Sequence, residues 1–225
     1  MPIHLAFDLL AALTALLLTL AVWAWRLRDR PLPQTGNGYL AALSLGILLG
    51  SYLLGTANLF LSGVPTVGRS ILGALIGGIA AVELFKLRSG IRGSTGLVFV
   101  PAFSALVIVG RIGCALSGLE DHTYGTATAL PWGQDFGDGI LRHPVAAYES
   151  LAMAGFLAFA LIGLVRRSPL VLAKGFYLMT GFYALQRLAW EFLKPYAPLI
   201  SPLTLMHLAC LALLAYSVVM LRRPT

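Results

Sequence analysis

The chain has 225 residues, of which 58% are hydrophobic and 11% are charged, and its mean hydropathy is +0.84. This composition is too apolar for a soluble domain of that length and indicates an integral membrane protein. The formal net charge of +7 does not indicate a nucleic-acid binder, because the basic residues stand in small groups between apolar runs, as topology signals do.

Seven apolar stretches are long enough to cross a bilayer, which takes about 20 residues of helix. No basic segment precedes the first stretch and no small-residue cleavage site follows it, so we expect a retained helix and not a removable signal peptide. The predicted spans are residues 4–25, 39–61, 70–86, 95–115, 145–165, 172–193 and 202–221. The predicted fold class is therefore an all-α integral membrane protein, a single transmembrane domain over residues 1–225 formed by a bundle of seven helices.

The basic residues predict the orientation of this bundle. Eleven of the sixteen lie on one side: Arg26, Arg28, Arg30, Lys86, Arg88, Arg92, Arg166, Arg167, Lys174, Arg222 and Arg223. The other five are Arg69, Arg111, Arg142, Arg187 and Lys194. By the positive-inside rule the N-terminus lies outside and the C-terminus lies in the cytoplasm. The loop of residues 116–143 is then external.

Glycines recur at a spacing of four residues in the second and third spans. The pairs are Gly46 with Gly50 and Gly73 with Gly77. Such small-xxx-small spacings let transmembrane helices approach closely, and they inform on packing only.

The five outer cations are not needed for orientation, and an unpaired charge within a span is costly. Arg111 lies near the outer end of the fourth span. Arg142 and His143 directly precede the fifth span, and Tyr148 and Glu149 follow in its first turns. We therefore expect these groups to have partners or a function.

In the sixth span, Tyr183, Arg187 and Glu191 are spaced to share one helical face near the outer end. One interpretation is that Arg187 and Glu191 simply neutralise each other. Arg111 has no carboxylate one turn away, so such pairing explains one arginine more readily than both. Trp190 is interpreted as an interfacial anchor.

Further polar groups come from the same side of the bundle. They are Glu120, Asp121 and His122, Asp135 and Asp138, and His207 early in the seventh span. Taken alone, His207 is typical of a hydrogen-bonded packing residue and His122 of a solvated loop residue. Guanidinium groups bind phosphate as a planar, permanently charged fork, so arginines clustered at headgroup depth predict a site for an anionic phospholipid.

Five segments, "GRIGCALSGLEDHTYG", "LPWGQDF", "RHPVAAYE", "RLAWEF" and "PLTLMH", occur in this order from residue 110 onward. Together they resemble the bacterial prolipoprotein diacylglyceryl transferases, and the resemblance extends from about Gly73 to His207. It implies transfer of the diacylglyceryl group of phosphatidylglycerol to the lipobox cysteine thiol of a prolipoprotein, releasing glycerol phosphate. It also implies a multi-pass protein of the bacterial plasma (inner) membrane, with phosphatidylglycerol, a prolipoprotein acceptor and the bilayer as partners and no nucleic acid.

The resemblance and the polar groups on the outer side together predict the site residues. The expected catalytic residues are Arg111, Arg187, His143 and Glu191. The expected substrate-binding residues are Arg142, Gly113, Glu120, Asp121, Tyr148, Glu149 and His207. The proposed step is attack of the acceptor thiol on the glyceryl carbon that bears phosphate, with the two arginines of the catalytic set stabilising the departing phosphate.

Several positions depart from the family pattern. Cys114 and Ser117 stand where the family has asparagines, and Leu119 separates the motif glycine from Glu120. In the third span Leu72 stands at the family histidine, and in the seventh His207 stands at the usual glutamine. With Leu72 in place of a histidine, His143 is the preferred base, with Glu120, Asp121 or His207 as substitutes.

Two other classes of function fit parts of the pattern. A non-catalytic phospholipid binder or carrier would use the same arginines, and a transferase could use a different acceptor. A small-solute transporter is disfavoured, because there is no evident inverted repeat and the charge lies near one face. No metal or organic cofactor is expected, since the two cysteines, Cys114 and Cys210, form no ligand cluster and there is no nucleotide-binding loop.

Overall fold

A computed structural model describes residues 2–28, 36–121 and 123–223, without the side chains of Pro2, His4, Glu120 and Asp121. The described part contains seven α-helices: α1 Pro2–Val22, α2 Asn37–Leu61, α3 Ile71–Ser89, α4 Phe99–Ser117, α5 Val145–Val165, α6 Pro169–Glu191 and α7 Leu205–Arg222. A π-helical turn, Trp23–Leu27, extends α1, and a 3-10 turn, Gly118–Asp121, follows α4. Two predicted features, Arg30 and His122, lie outside the described residues.

The seven predicted spans correspond to these seven helices, so the helical class of the fold is confirmed. Five helices are long and apolar enough to cross a membrane: Leu5–Leu27, Asn37–Leu61, Phe99–Ser117, Val145–Val165 and Leu205–Arg222. Each of the other two contains three charged residues, namely Glu83, Lys86 and Arg88 in α3 and Lys174, Arg187 and Glu191 in α6. The number of spans and their orientation therefore stay predictions.

Local sequence signals begin and end several of the helices. The Ser70 hydroxyl accepts a hydrogen bond from the Gly73 backbone N–H at 3.2 Å and caps α3, while Gly90 ends α3 with φ of 68°. Pro169 occupies the first turn of α6, where its missing N–H leaves no intrahelical bond unmade. Thr204 caps α7 through a capping box with His207.

The helices pack as neighbours in the order α1–α4–α5–α6–α7, with α2 against α3. The α2–α3 contact depends on the four predicted glycines, because a Cβ at Gly50 would collide with the Gly73 carbonyl and one at Gly77 with the Gly46 carbonyl. Small residues thus bring these two backbones into contact, as their spacing predicts.

The apolar core lies between α3, α4, α5, α6 and α7 and includes Leu72, Val107, Met153 and Met179, all at most 1% exposed. A short antiparallel hairpin, β1 Gln134–Asp135 paired with β2 Leu141–Arg142, lies in the loop between α4 and α5. The sequence pattern did not predict this hairpin.

Candidate active site

The centre of the candidate site is the Glu149 carboxylate on α5, which is fully buried. Arg111 of α4 places its Nε 2.6 Å from Glu149 Oε2. Arg187 of α6 contacts Glu149 Oε1 through Nη1, and Lys194, just beyond α6, places its Nζ 3.1 Å from the same oxygen. One carboxylate therefore joins cations from three parts of the fold.

A second buried carboxylate, Glu191, extends the cluster toward α7. Its Oε2 lies 3.0 Å from Nη2 of Arg187, so the predicted pairing within α6 is present. Its Oε1 accepts a hydrogen bond of 3.3 Å from the Thr204 hydroxyl at the start of α7. We call Arg111, Glu149, Arg187, Glu191 and Lys194 the buried charge cluster.

The expectation that pairing accounts for one arginine more readily than for both was wrong. Arg111 pairs with Glu149, a residue from another helix that the spacing within α4 could not reveal. Both arginines thus share Glu149 in this structure. Pairing accounts for the burial of both guanidinium groups, so their burial alone does not establish a phosphate site.

The charges of the cluster do not cancel among the described side chains. Three cations face two carboxylates, which leaves one positive charge, and all five residues are 9% exposed or less. Buried charges are tolerated when they are paired, so an excess cation favours a bound anion. The cluster has the charge that complements one phosphodiester.

Several buried polar atoms in or beside the cluster have no hydrogen-bond partner among the described residues. Three of them are the Tyr183 hydroxyl, Arg187 Nε and His207 Nε2. Buried polar groups are normally satisfied, so unmade bonds gathered at one place are ones that a polar ligand could complete. Two of the three, Tyr183 and Arg187, lie on the predicted face of α6.

The tautomer of neutral His207 follows from its capping interaction. The Thr204 backbone N–H donates to His207 Nδ1 at 3.1 Å, so Nδ1 is an acceptor and carries no proton. Neutral His207 therefore carries its proton on Nε2, the atom without a partner. In this state His207 is a hydrogen-bond donor and not a base, which disfavours its predicted role as a substitute base.

Lys194 is the member of the cluster that sequence reasoning left without a role. Burial lowers its pKa to about 8, and Arg187 acts in the same direction while Glu149 opposes it. The charged groups that act on it are Arg187, Glu149, Arg111 and Glu191, and Tyr196 lies with its ring 6.0 Å away. Two features of the sequence could have indicated a role for Lys194. It directly follows the helical face that contains Arg187 and Glu191, and its charge is not needed to orient the bundle.

Arg142, a predicted substrate-binding residue, does not join the cluster through any described contact. Both of its terminal nitrogens lie 2.7 Å from Asp138 oxygens, and its guanidinium lies 5.2 Å from the Tyr124 ring. The hydrogen bonds from Arg142 lower the pKa of Asp138. The hairpin and Asp138 thus hold Arg142 in the loop, and its predicted role in substrate binding stays a prediction.

The remaining predicted residues make no described contact with the cations or carboxylates of the cluster. His143 is half-buried, its Nδ1 has no partner in the described part of the chain, and its ring lies 6.4 Å from Tyr148. The Tyr148 hydroxyl accepts a hydrogen bond of 2.8 Å from Trp132. Gly113 contacts α1, since a Cβ there would collide with Phe7, which indicates a packing role. The side chains of Glu120 and Asp121 lie outside the described residues.

The comparisons agree with the resemblance found in the sequence. The family model described as prolipoprotein diacylglyceryl transferase matches residues 9–223. Relatives named phosphatidylglycerol–prolipoprotein diacylglyceryl transferase include one from Campylobacter lari, 33% identical over 56% of this chain and 45% of the relative. One from Mesorhizobium japonicum is 31% identical over the same shares, and one from Nitratidesulfovibrio vulgaris is 31% identical over 67% of this chain and 60% of the relative.

These alignments cover about half the length of the first two relatives. No solved structure shows a significant match. The family match, in contrast, extends over nearly all of the described residues and includes every member of the buried charge cluster. The chain belongs to the prolipoprotein diacylglyceryl transferase family.

Proposed function

We propose that the protein transfers the diacylglyceryl group of phosphatidylglycerol to the thiol of a lipobox cysteine in a prolipoprotein and releases glycerol phosphate. The names of the relatives supply the two substrates. The observation that carries the proposal is the single excess cation of the buried charge cluster. A phosphodiester has one negative charge and therefore neutralises the cluster.

The chemistry is a nucleophilic substitution at the glyceryl carbon. The acceptor sulfur forms a bond to this carbon while the bond from the carbon to the phosphate oxygen breaks, and the electron pair leaves with glycerol phosphate. Negative charge grows on the phosphate as it departs. Arg111 and Arg187 are positioned to stabilise that charge where water is largely excluded.

The acceptor thiol has a pKa of about 8.5 in water and must lose its proton to attack. His143 remains the preferred base, since its Nδ1 is free of any described partner. Glu120 and Asp121 remain substitutes, whereas His207 is disfavoured by its tautomer.

An apolar cavity of about 180 Å³ lies between α2, α3, α4, α6 and α7. Phe103, on its wall, makes an edge-to-face contact with Tyr183 at 4.9 Å between ring centroids. Tyr183 belongs to the same face as Arg187. The wall of the cavity is thus in contact with the face of α6 that contains Arg187, and its lining suits part of an acyl chain.

The proposed setting is the bacterial plasma membrane, crossed seven times by one domain, with the N-terminus and the loop of residues 116–143 outside. Five apolar helices support a multi-pass protein. Inserting a short tag after the exposed Ala127 tests the orientation. A label that cannot cross the membrane should react with this tag from outside in intact cells, and labelling from the cytoplasmic side alone would contradict the topology.

The activity is tested with purified protein, phosphatidylglycerol labelled in its headgroup, and a synthetic lipobox peptide. We expect labelled glycerol phosphate to appear together with a peptide heavier by one diacylglyceryl group. A peptide with serine in place of cysteine is the control and should yield neither product. Release without peptide modification would indicate another acceptor or hydrolysis, and lipid binding without release would indicate a phospholipid binder.

A further inference from the structure

An uncharged polar face between α5 and α6 lies directly beside the buried charge cluster. Two aromatic pairs define how these helices meet: Phe156 stacks on Phe182 at 5.2 Å, and Tyr148 contacts Trp190 at 5.1 Å. Each pair joins one residue of α5 to one residue of α6, and the two pairs lie two helical turns apart along both helices. The residue of α6 midway between them is Gln186.

Gln186 is 8% exposed, and neither its amide oxygen nor its amide nitrogen has a hydrogen-bond partner among the described residues. One turn further along α6, the Trp190 indole nitrogen is also buried and without a described partner. On α5 the residue midway between Tyr148 and Phe156 is Ala152, so the pairing of the two helices puts its methyl side chain opposite Gln186. The face therefore contains a buried donor and acceptor group with little side-chain volume across from it.

A buried amide with both ends unmade destabilises a protein relative to an apolar side chain of the same shape. This amide is adjacent in sequence to Arg187, and Trp190 is adjacent to Glu191. On α5, Tyr148 likewise precedes Glu149. The uncharged face and the charged face thus run side by side along both helices, and Gln186 is the residue of the uncharged face next to Arg187.

We propose that Gln186 and Trp190 bind the hydroxyl groups of the headgroup glycerol of phosphatidylglycerol and so select this lipid. The inference rests on the proposed function, which places the lipid phosphate at Arg111 and Arg187. An amide and an indole N–H offer two kinds of donor and one acceptor, which match a diol. None of the described residues that form this face has a carboxylate to attract an ammonium headgroup.

The test compares two lipids that differ only in these hydroxyls, phosphatidylglycerol and phosphatidylpropanol. The variants are Gln186→Met, which keeps length and volume but removes the amide, and Trp190→Phe, which keeps a ring but removes the N–H. Leu185→Met is the matched control, because Leu185 is 59% exposed on the adjacent position of α6. Turnover, lipid binding and thermal unfolding are measured for each protein.

The wild-type protein should prefer phosphatidylglycerol over phosphatidylpropanol by about tenfold or more in kcat/KM, the effect of one or two hydrogen bonds. In Gln186→Met this preference should fall to about one, with turnover of phosphatidylpropanol unchanged and the unfolding temperature equal or higher. Trp190→Phe should lose part of the preference, and Leu185→Met none.

Other results would overturn the inference in identifiable ways. Equal loss of turnover for both lipids in Gln186→Met indicates a packing role, and a raised KM for the peptide alone assigns the face to the acceptor. If wild-type protein turns over neither lipid, the proposed function fails. The binding preference of wild-type protein and Gln186→Met for the two lipids then still decides the role of the amide.

Discussion

Replacing Glu149 by glutamine removes the charge that joins Arg111, Arg187 and Lys194. In the wild-type cluster two carboxylates face three cations, whereas in Glu149→Gln only Glu191 remains and the excess rises from one positive charge to two. Removing one partner of a buried ion pair costs about 3–5 kcal/mol. Because Glu149 is fully buried and contacts all three cations, we expect the variant to lie in the upper part of that range.

The assay is thermal unfolding of the purified protein in detergent, with and without phosphatidylglycerol. The variant should unfold at a clearly lower temperature than wild-type protein. Phosphatidylglycerol should stabilise it more than it stabilises wild-type protein, because the lipid phosphate then replaces a missing charge. A neutral diacylglycerol is the matched lipid and should not produce this extra stabilisation.

Asp138→Asn supplies the control for a lost carboxylate. Asp138 pairs with Arg142 in the loop between α4 and α5, where solvent screens the interaction, and we expect no measurable change in unfolding temperature. If Glu149→Gln is as stable as wild-type protein, or if phosphatidylglycerol stabilises both equally, the excess charge of the cluster does not bind the lipid. The central argument for the proposed function would then be refuted.

Three further predictions concern the other members of the site. Arg111→Lys and Arg187→Lys keep the charge but lose the planar fork, so turnover of phosphatidylglycerol should fall tenfold or more, the effect of about 1.4 kcal/mol, with little change in unfolding temperature; normal turnover in both variants would contradict a phosphate-binding role. Phosphatidylglycerol affinity should decrease as pH rises through about 8, because Lys194 then loses its proton and the excess charge disappears. Lys194→Arg should remove this pH dependence. An equally steep pH dependence in that variant would exclude Lys194 as its cause. His207→Asn can still accept the Thr204 N–H, but its shorter side chain offers no donor at the position of Nε2, so it should fold normally and turn over more slowly. His207→Gln is the control, because glutamine at this position of a capping box keeps the cap and also has an N–H donor. Normal turnover of the asparagine variant would limit His207 to capping.

The helices could be predicted from sequence because each apolar stretch is bounded by local signals. Proline, glycine and charge interrupt the hydrophobic pattern where the helices end, and these signals act within a few residues. The face of α6 that contains Tyr183, Arg187 and Glu191 could be predicted for the same reason, since helical spacing alone places them together.

The partners across helices could not be predicted in this way. Arg111 and Glu149 are far apart in sequence, and only the packing of α4 against α5 brings their side chains to 2.6 Å. The Arg142–Asp138 pair depends on a hairpin with two residues in each strand, too short to produce an alternating pattern. The unpartnered amide of Gln186 likewise becomes visible only once its neighbours are known.

The excess charge of the buried charge cluster affects both the stability of the lipid-free protein and its affinity for phosphatidylglycerol. These two quantities should change in opposite directions as pH rises. The pKa of Lys194 in the folded protein, about 8, lies below its value in the unfolded chain, about 10.4. Between these two values the unfolded chain binds more protons, so the stability of the lipid-free protein should rise with pH across that window, while below it the full cost of the buried ammonium remains. Affinity for phosphatidylglycerol should fall over the same window, because the charge that destabilises the empty site is the charge that attracts the phosphate. Unfolding measured without lipid and binding measured with it should therefore change in opposite senses between about pH 8 and 10, and Lys194→Arg, which cannot lose its proton in this range, should flatten both.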